Sequence, residues 1–210
     1  MKLFVHAVVA PFAALFALSG VTGCQMSPSV PAARLIQHQA MVDLSGLADS
    51  TTVDELNVHI STPRRWEPMT VALKSSYLNM QWRSPSQMTG VGVAYVKMPL
   101  PFPAKAVAWL AQREYSKRAN DGKILGTWQD DLGRPWFEAQ NSKYHIRGYV
   151  VTRGWEAWII YCGYKREQPP SAPELNIAAR ALETIVPTPF AEHVPQRPVA
   201  QTPRPSRNRG

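Results

Sequence analysis

Trp155-Glu156-Ala157-Trp158-Ile159-Ile160-Tyr161-Cys162-Gly163-Tyr164, then Pro169-Pro170, then Ser171-Ala172-Pro173-Glu174 and an apolar stripe through Val186, is the stretch that decides the fold. Its first part is apolar on both sides of an extended chain. Trp155, Ala157, Ile159 and Tyr161 point one way, and Trp158, Ile160 and Cys162 point the other. A strand with two apolar faces is predicted to lie centrally in a sheet that is covered on both sides. Its second part has the pattern of a capping box, Ser171 with Glu174. Leu175, Ala178, Ala179, Leu182, Ile185 and Val186 then recur at helical spacing, and Pro187 is expected to stop the helix.

Working upstream, Tyr144 to Thr152 reads as a strand that turns at Arg153-Gly154 into the central one. Ile124 to Trp128 and Trp136 to Gln140 flank Asp130-Asp131-Leu132-Gly133-Arg134, which predicts a hairpin. Before it, Pro103 suits the first turn of a helix. Ala104, Val107, Ala108, Ala111 and Tyr115 share one side of that helix, while Lys105, Gln112, Arg113 and Ser116 share the other. Asn120-Asp121-Gly122 ends it. Three strands precede it: Leu56, Val58 and Ile60 up to Pro63, one long strand from Val71 to Trp82, and Val91 to Met98, where Gly90 and Gly92 permit close approach. In the long strand Leu78, Met80 and Trp82 oppose Asn79, Gln81 and Arg83. The predicted class is α+β, a mainly antiparallel sheet of about six to seven strands with two helices packed on it.

This element order, with Pro63-Arg64-Arg65-Trp66 after the first strand and an aromatic strand leading through Pro169-Pro170 to the capped final helix, resembles the PsbP-like fold. That fold is an α/β/α sandwich shared by photosystem II extrinsic proteins, a Ran-binding protein and many bacterial secreted proteins and lipoproteins. The resemblance spans residues 51–186 and lies in element order rather than in motifs. It implies a docking module, carries over no catalytic or ligand residue, and transfers no partner, because fold does not fix function.

The amino terminus reads as an address. Lys2 precedes an apolar run from Leu3 to Leu18, with no acidic residue before Asp43. Val21-Thr22-Gly23-Cys24 follows and looks like a bacterial lipobox. The thiol of Cys24 would be alkylated by a diacylglyceryl group and become the new amino terminus. One acyl chain holds a protein marginally and two or three hold it stably, at about 0.8 kcal/mol per buried methylene. The competing reading is an uncleaved membrane anchor over residues 3–23, which Pro11, Ser19, Gly20, Thr22 and Gly23 weaken. Gln25, in place of Asp after the cysteine, resembles an outer-membrane sorting signal.

The organisation expected is thus a signal peptide over 1–23, a flexible tether over 24–50, one domain over 51–186, and a tail over 187–210. The tail has six prolines in its 24 residues and sets Arg197, Arg204, Arg207 and Arg209 against Glu192. It reads as extended, either as a basic arm or as a solvated tail with no partner. The 210 residues are 45% hydrophobic and 18% charged, which excludes wholesale disorder. The two cysteines exclude a disulfide scaffold and a four-cysteine zinc site. The net charge of +8 is scattered over leader, tether, domain and tail, so it does not argue for a polyanion-binding domain.

No G-x-S-x-G, H-E-x-x-H, P-loop or dinucleotide fingerprint occurs, so no catalytic residue, metal site or cofactor is implied. Cys162, amid aromatic and aliphatic neighbours, reads as an inert buried thiol rather than a nucleophile. Asp130 and Asp131 read as a solvated turn, with Glu138 of interest only if it converges with them. The candidate binding residues are Trp109 with Lys105 and Arg113 on the polar side of the first helix, Arg64 and Arg65 around Trp66, and His145 with Arg147 on one strand face. An exposed tryptophan amid basic residues is a hot-spot pattern unless the Met98-to-Phe102 loop covers it. Paired arginines suit a carboxylate or phosphate, or form a solvated turn.

The function expected is a lipid-anchored protein of the cell envelope, at the outer membrane and facing the periplasm, with a non-catalytic binding domain. Its expected partners are the bilayer, through acylated Cys24, and an envelope protein or cell-wall polymer, with nucleic acid disfavoured. The alternatives are an envelope hydrolase whose residues converge only in three dimensions, and a structural spacer. A pocket uniting His145, Glu138, an Asp and Cys162 would favour the hydrolase.

Overall fold

The computed structural model describes residue 34 and residues 41–74, 77–119 and 121–188. The expected signal peptide, Cys24, most of the tether and the tail from residue 189 lie outside the described residues. Among the described residues the chain forms ten strands, two α-helices and one 3-10 helix. No helix among them is long and apolar enough to cross a membrane.

Seven strands form one antiparallel sheet in the order β3-β4-β5-β9-β8-β7-β6. They are β3 (Glu67–Lys74), β4 (Tyr77–Arg83), β5 (Thr89–Lys97), β6 (Lys123–Gln129), β7 (Pro135–Gln140), β8 (Tyr144–Arg153) and β9 (Glu156–Lys165). A small sheet joins β1 (Thr51–Val53), β2 (Val58–Ile60) and β10 (Val186–Pro187) in the order β1-β2-β10. Helix α1 (Ala104–Arg118) follows β5, and α2 (Ala172–Thr184) follows β9. The α+β class expected from sequence is therefore what the chain adopts.

Strand β9 is central, between β5 and β8, and Ala157 through Tyr161 are all buried. Its two faces feed two cores. Trp158 and Ile160 join Val93, Tyr95, Tyr149 and Val151 beneath α2 and the small sheet. Ile159 and Tyr161 join Ala94, Val96, Ile146 and Val150 beneath α1. Each fully buried large aliphatic side chain contributes roughly 1.5–3 kcal/mol, so the middle layer carries most of the fold's stability. Small residues along α1, Ala104, Ala108 and Ala111, let its axis approach the sheet.

Several local expectations are corrected. The single long strand from Val71 to Trp82 is a hairpin, β3 against β4, with Lys74 opposite Tyr77. Leu56 belongs to the 3-10 helix Asp54–Leu56, not to a strand, and Asn57 follows it in the left-handed region at φ 55°. The side of β4 that carries Asn79 and Gln81 is buried and internally hydrogen-bonded. Gln81 Nε2 donates to the Tyr161 hydroxyl at 2.6 Å, Tyr161 donates to Asn79 Oδ1 at 3.0 Å, and Asn79 Nδ2 donates to the Tyr77 hydroxyl at 3.0 Å. Gly92, opposite Tyr161 across β5 and β9, makes room for this group: a Cβ there would lie 2.5 Å from Tyr161 Cζ. Trp155 lies in the β8–β9 turn and is 57% exposed, because Gly154 at φ 56° reverses the chain before β9 begins.

The ends of the folded unit also differ from the sequence reading. Residues 41–50 pack on the domain: Leu47 is 2% exposed within the core under α2 and forms a bridge with Pro63. Helix α2 ends at Thr184, and Val186 and Pro187 form β10 instead of continuing and then terminating a helix. Ser171 is the N-cap residue but makes no side-chain cap. Its expected partner Glu174 accepts a hydrogen bond from Ser86 Oγ at 2.6 Å instead, so a tertiary contact displaces the local capping box.

Candidate functional site

Between α2, which packs chiefly on β5 and β9, and the side chains of β7, β8 and β9 lies a cleft of about 460 Å³, within the range of small-ligand sites. Trp136 of β7, Arg147 of β8 and Cys162 of β9 line its sheet side. Ala179, Arg180 and Leu182 line its helix side, and Met41 to Asp43 close a third side. The alternation of strand side chains puts Trp136, Glu138, His145, Arg147 and Cys162 on one sheet face, since Arg147 lies opposite both Glu138 and Cys162. Sequence reasoning placed Ala179 in the buried stripe of α2. It is exposed and faces the cleft, whereas Ala181 is buried.

Arg147 is the most accessible charge of this wall. Its guanidinium carbon lies 5.1 Å from the Trp128 ring centroid and 5.0 Å from that of Trp136, and the two indoles are themselves stacked at 5.8 Å. Stacking of this kind orients the guanidinium and leaves its N–H edge free. Among the described residues it has no hydrogen-bond acceptor. Glu138, directly across the strand pair from it, turns to His145 instead, with His145 Nε2 2.8 Å from Glu138 Oε1. The His145 ring also packs on Tyr164 at 4.9 Å.

The remaining charges of the cleft are paired. Arg180 bonds Asp43, whose carboxyl is held below its usual range by hydrogen bonds from Ser45. Glu183 accepts from Arg134 Nη2 at 2.8 Å. Arg134 is 2% exposed, lies 4.2 Å over the Tyr149 ring, and places its Nε 2.6 Å from Asp130 Oδ2. Asp130 also accepts from Trp136 Nε1 at 2.7 Å and from the backbone N–H groups of Leu132 and Arg134. It is therefore an anchor for the indole wall and not the solvated turn expected, while Asp131 is exposed. Burial works to raise the Asp130 carboxyl, but the bonds from Trp136 and Arg134 outweigh it and hold the pKa below the ordinary value.

Cys162 is the cleft's only thiol among the described residues. Burial pushes it up to about 11, with Arg147 pulling it back in part and Glu183 opposing that pull. A thiol so placed is protonated at neutral pH and a poor nucleophile. Asp43 and Cys162 line the cleft together, whereas His145 and Glu138 pair with each other and are not part of its lining. No group of three or more His, Cys, Asp or Glu residues among the described residues is arranged to hold a metal ion.

The other candidates lie elsewhere. Trp109 is 56% exposed on α1, over the opposite sheet face, so the Met98-to-Phe102 loop does not cover it. Arg113 lies 5.3 Å over its ring and Lys105 is exposed one turn earlier. Arg64 Nε donates to the Leu47 carbonyl at 2.8 Å, which commits that side chain to holding residues 41–50 in place. Arg65 is exposed, with φ at 65°. Sequence reasoning missed Arg134, Arg180, Trp128 and Asp43, which come together only because the β6–β7 turn, α2 and residues 41–50 meet. The one signal available was Asp130 four residues before Arg134 in a turn.

No family model and no curated protein matches the chain. A Bacteroides thetaiotaomicron VPI-5482 protein of known crystal structure is similar to 62% of this chain at 12% identity, with a TM-score of 0.33. The match takes in 45% of that protein's own length, so this chain spans less than half of it, and the likeness is too slight to carry an inference.

Proposed function

We propose that this chain is a lipid-anchored binding protein of the cell envelope, held to a membrane by acylated Cys24, whose domain takes up an envelope component in the cleft without catalysis. The observation that carries the reading is the cleft itself, a partly enclosed space of about 460 Å³ with an indole-stacked Arg147 on its wall. Its thiol is protonated by burial, and its other charges are already neutralised by neighbours. Such a site is furnished to recognise and not to attack. The Trp109 stripe on the opposite side of the sheet offers a separate surface for a protein partner.

The test has two parts. Metabolic labelling with palmitate, followed by membrane fractionation, is expected to label the wild type and to lose both label and membrane retention in Cys24→Ser. Retention without label would point to an uncleaved membrane anchor. In-cell crosslinking through a photoreactive residue at Ala179 is expected to capture a component that a site at Trp109 does not.

The alternative reading, an envelope hydrolase, requires His145 and Glu138 to meet an Asp and Cys162 in one pocket, and their place outside the cleft that Asp43 and Cys162 line counts against it. Loss of an envelope hydrolase activity in both His145→Ala and Cys162→Ser, with folding intact, would replace the first reading with this one.

A further inference from the structure

We propose that the cleft recognises a small monocarboxylate with an apolar body, its carboxylate bound by Arg147 and its body lying along Trp136 and Leu182 towards Met41. This rests on the reading of the cleft as the binding site and assigns its ligand class. Three observations carry it. Arg147 lines the cleft with its guanidinium carbon about equally close to two indole rings and no acceptor among the described residues. A planar fork so held presents parallel N–H donors, the geometry that binds a carboxylate in two-point fashion. The cross-strand carboxylate that would ordinarily neutralise it, Glu138, is taken by His145.

The charge count then selects a single negative charge. Asp43 and Glu183 also line the cleft, bonded by Arg180 and Arg134, and Arg134 is shared with Asp130. Arg147 is thus the lining cation that bonds no carboxylate among the described residues, and a second negative charge on the ligand would meet Asp43 and Glu183 with no further free cation. The remaining wall is apolar: Met41, Val42, Trp136, Ala179, Leu182 and the protonated Cys162. It desolvates a hydrocarbon or aryl body and strengthens the bond at Arg147 by excluding water from it.

The test uses the full-length chain, purified without detergent as its Cys24→Ser form, and three probes with the same tail. These are decanoate, decanol and decyl phosphate, each below its aggregation limit at neutral pH. Titration calorimetry gives affinities, and the Trp136 indole signal and the alkylation rate of Cys162 in alkaline buffer report on the cleft. Decanoate is expected to bind at least tenfold more tightly than decanol and more tightly than decyl phosphate, to shift the Trp136 signal and to slow alkylation. Arg147→Gln is expected to weaken decanoate tenfold or more and to leave decanol unchanged, the loss typical of one charge-assisted hydrogen-bonded contact. Ala179→Trp, which fills the cleft from its helix side and leaves Arg147 and the two indoles in place, is expected to abolish both.

Equal binding of decanoate and decanol, or an unchanged decanoate affinity in Arg147→Gln, overturns the carboxylate assignment while leaving the cleft as a binding site. Tighter binding of decyl phosphate overturns the single-charge argument and with it the proposal. If no probe shifts Trp136 or protects Cys162, the proposal and the reading of the cleft as the site fall together.

Discussion

Arg134 Nη2 lies 2.8 Å from Glu183 Oε2, joining the β6–β7 turn to the last turn of α2 through a side chain that solvent barely reaches. The same guanidinium holds Asp130 with its Nε, and Asp130 in turn fixes the Trp136 indole. One arginine therefore sets the distance between the helix and the indole wall, and with it the width of the cleft.

Arg134→Met is expected to destabilise the fold by about 3 kcal/mol. That is the low end for breaking a buried pair, because both carboxylate partners keep some solvent contact. Glu183→Gln, which keeps a hydrogen-bond acceptor, is expected to cost roughly half as much. Urea unfolding of the two variants and the double variant measures the coupling. A loss below about 1 kcal/mol for Arg134→Met would mean that the pair does not hold the helix.

Acid stability should report on Asp130. Its folded-state pKa lies below the unfolded value of about 3.9, so its contribution is complete above that value and is lost as pH falls through the folded pKa. Asp130→Asn is therefore expected to unfold more readily at neutral pH and to show a shallower further loss between about pH 4 and pH 2. Parallel acid limbs for variant and wild type would refute this.

Cys162 is expected to resist alkylation at neutral pH in the folded chain and to react rapidly once the chain is unfolded. Its rate in the folded state should climb through the alkaline range towards about pH 11. Mass-resolved iodoacetamide kinetics decide the point. A fast reaction at neutral pH would reveal a thiolate and strengthen the hydrolase reading.

Gly92→Ala is expected to cost about 1–3 kcal/mol through overpacking, because the new methyl drives the Tyr161 ring away from Gln81 and Asn79. Thermal melts check this, and Gly92→Ala with Tyr161→Phe should recover little if the ring itself is the obstacle.

Trp109→Ala, by contrast, removes an exposed side chain and is expected to leave stability within about 0.5 kcal/mol. A loss of several degrees in the melting temperature would show that Trp109 supports α1 against the sheet.

The amino-acid sequence suffices for the class, the central place of β9, both helices and the β6–β7 hairpin. Hydrophobic periodicity and turn residues are local signals, and burial on one face or two can be read from them. What it misread shares one cause. The polar side of β4, the Ser171–Glu174 pattern and the Asp130 turn all look like solvated or self-capped chemistry over a few residues. The first two are redirected by partners distant in sequence, Tyr161 for Gln81 and Ser86 for Glu174, whereas Asp130 bonds its near neighbours Arg134 and Trp136 and is drawn out of solvent because Arg134 also reaches Glu183 on α2. The cleft is of the same kind. Arg147 and His145 were legible as a polar strand face, but the turn of Glu138 to His145, the two indoles beside the guanidinium, and the walls supplied by α2 and residues 41–43 arise only once the chain is folded. Pairing between charges depends on distances across strands and helices, and nothing in the order of residues along the chain fixes those distances.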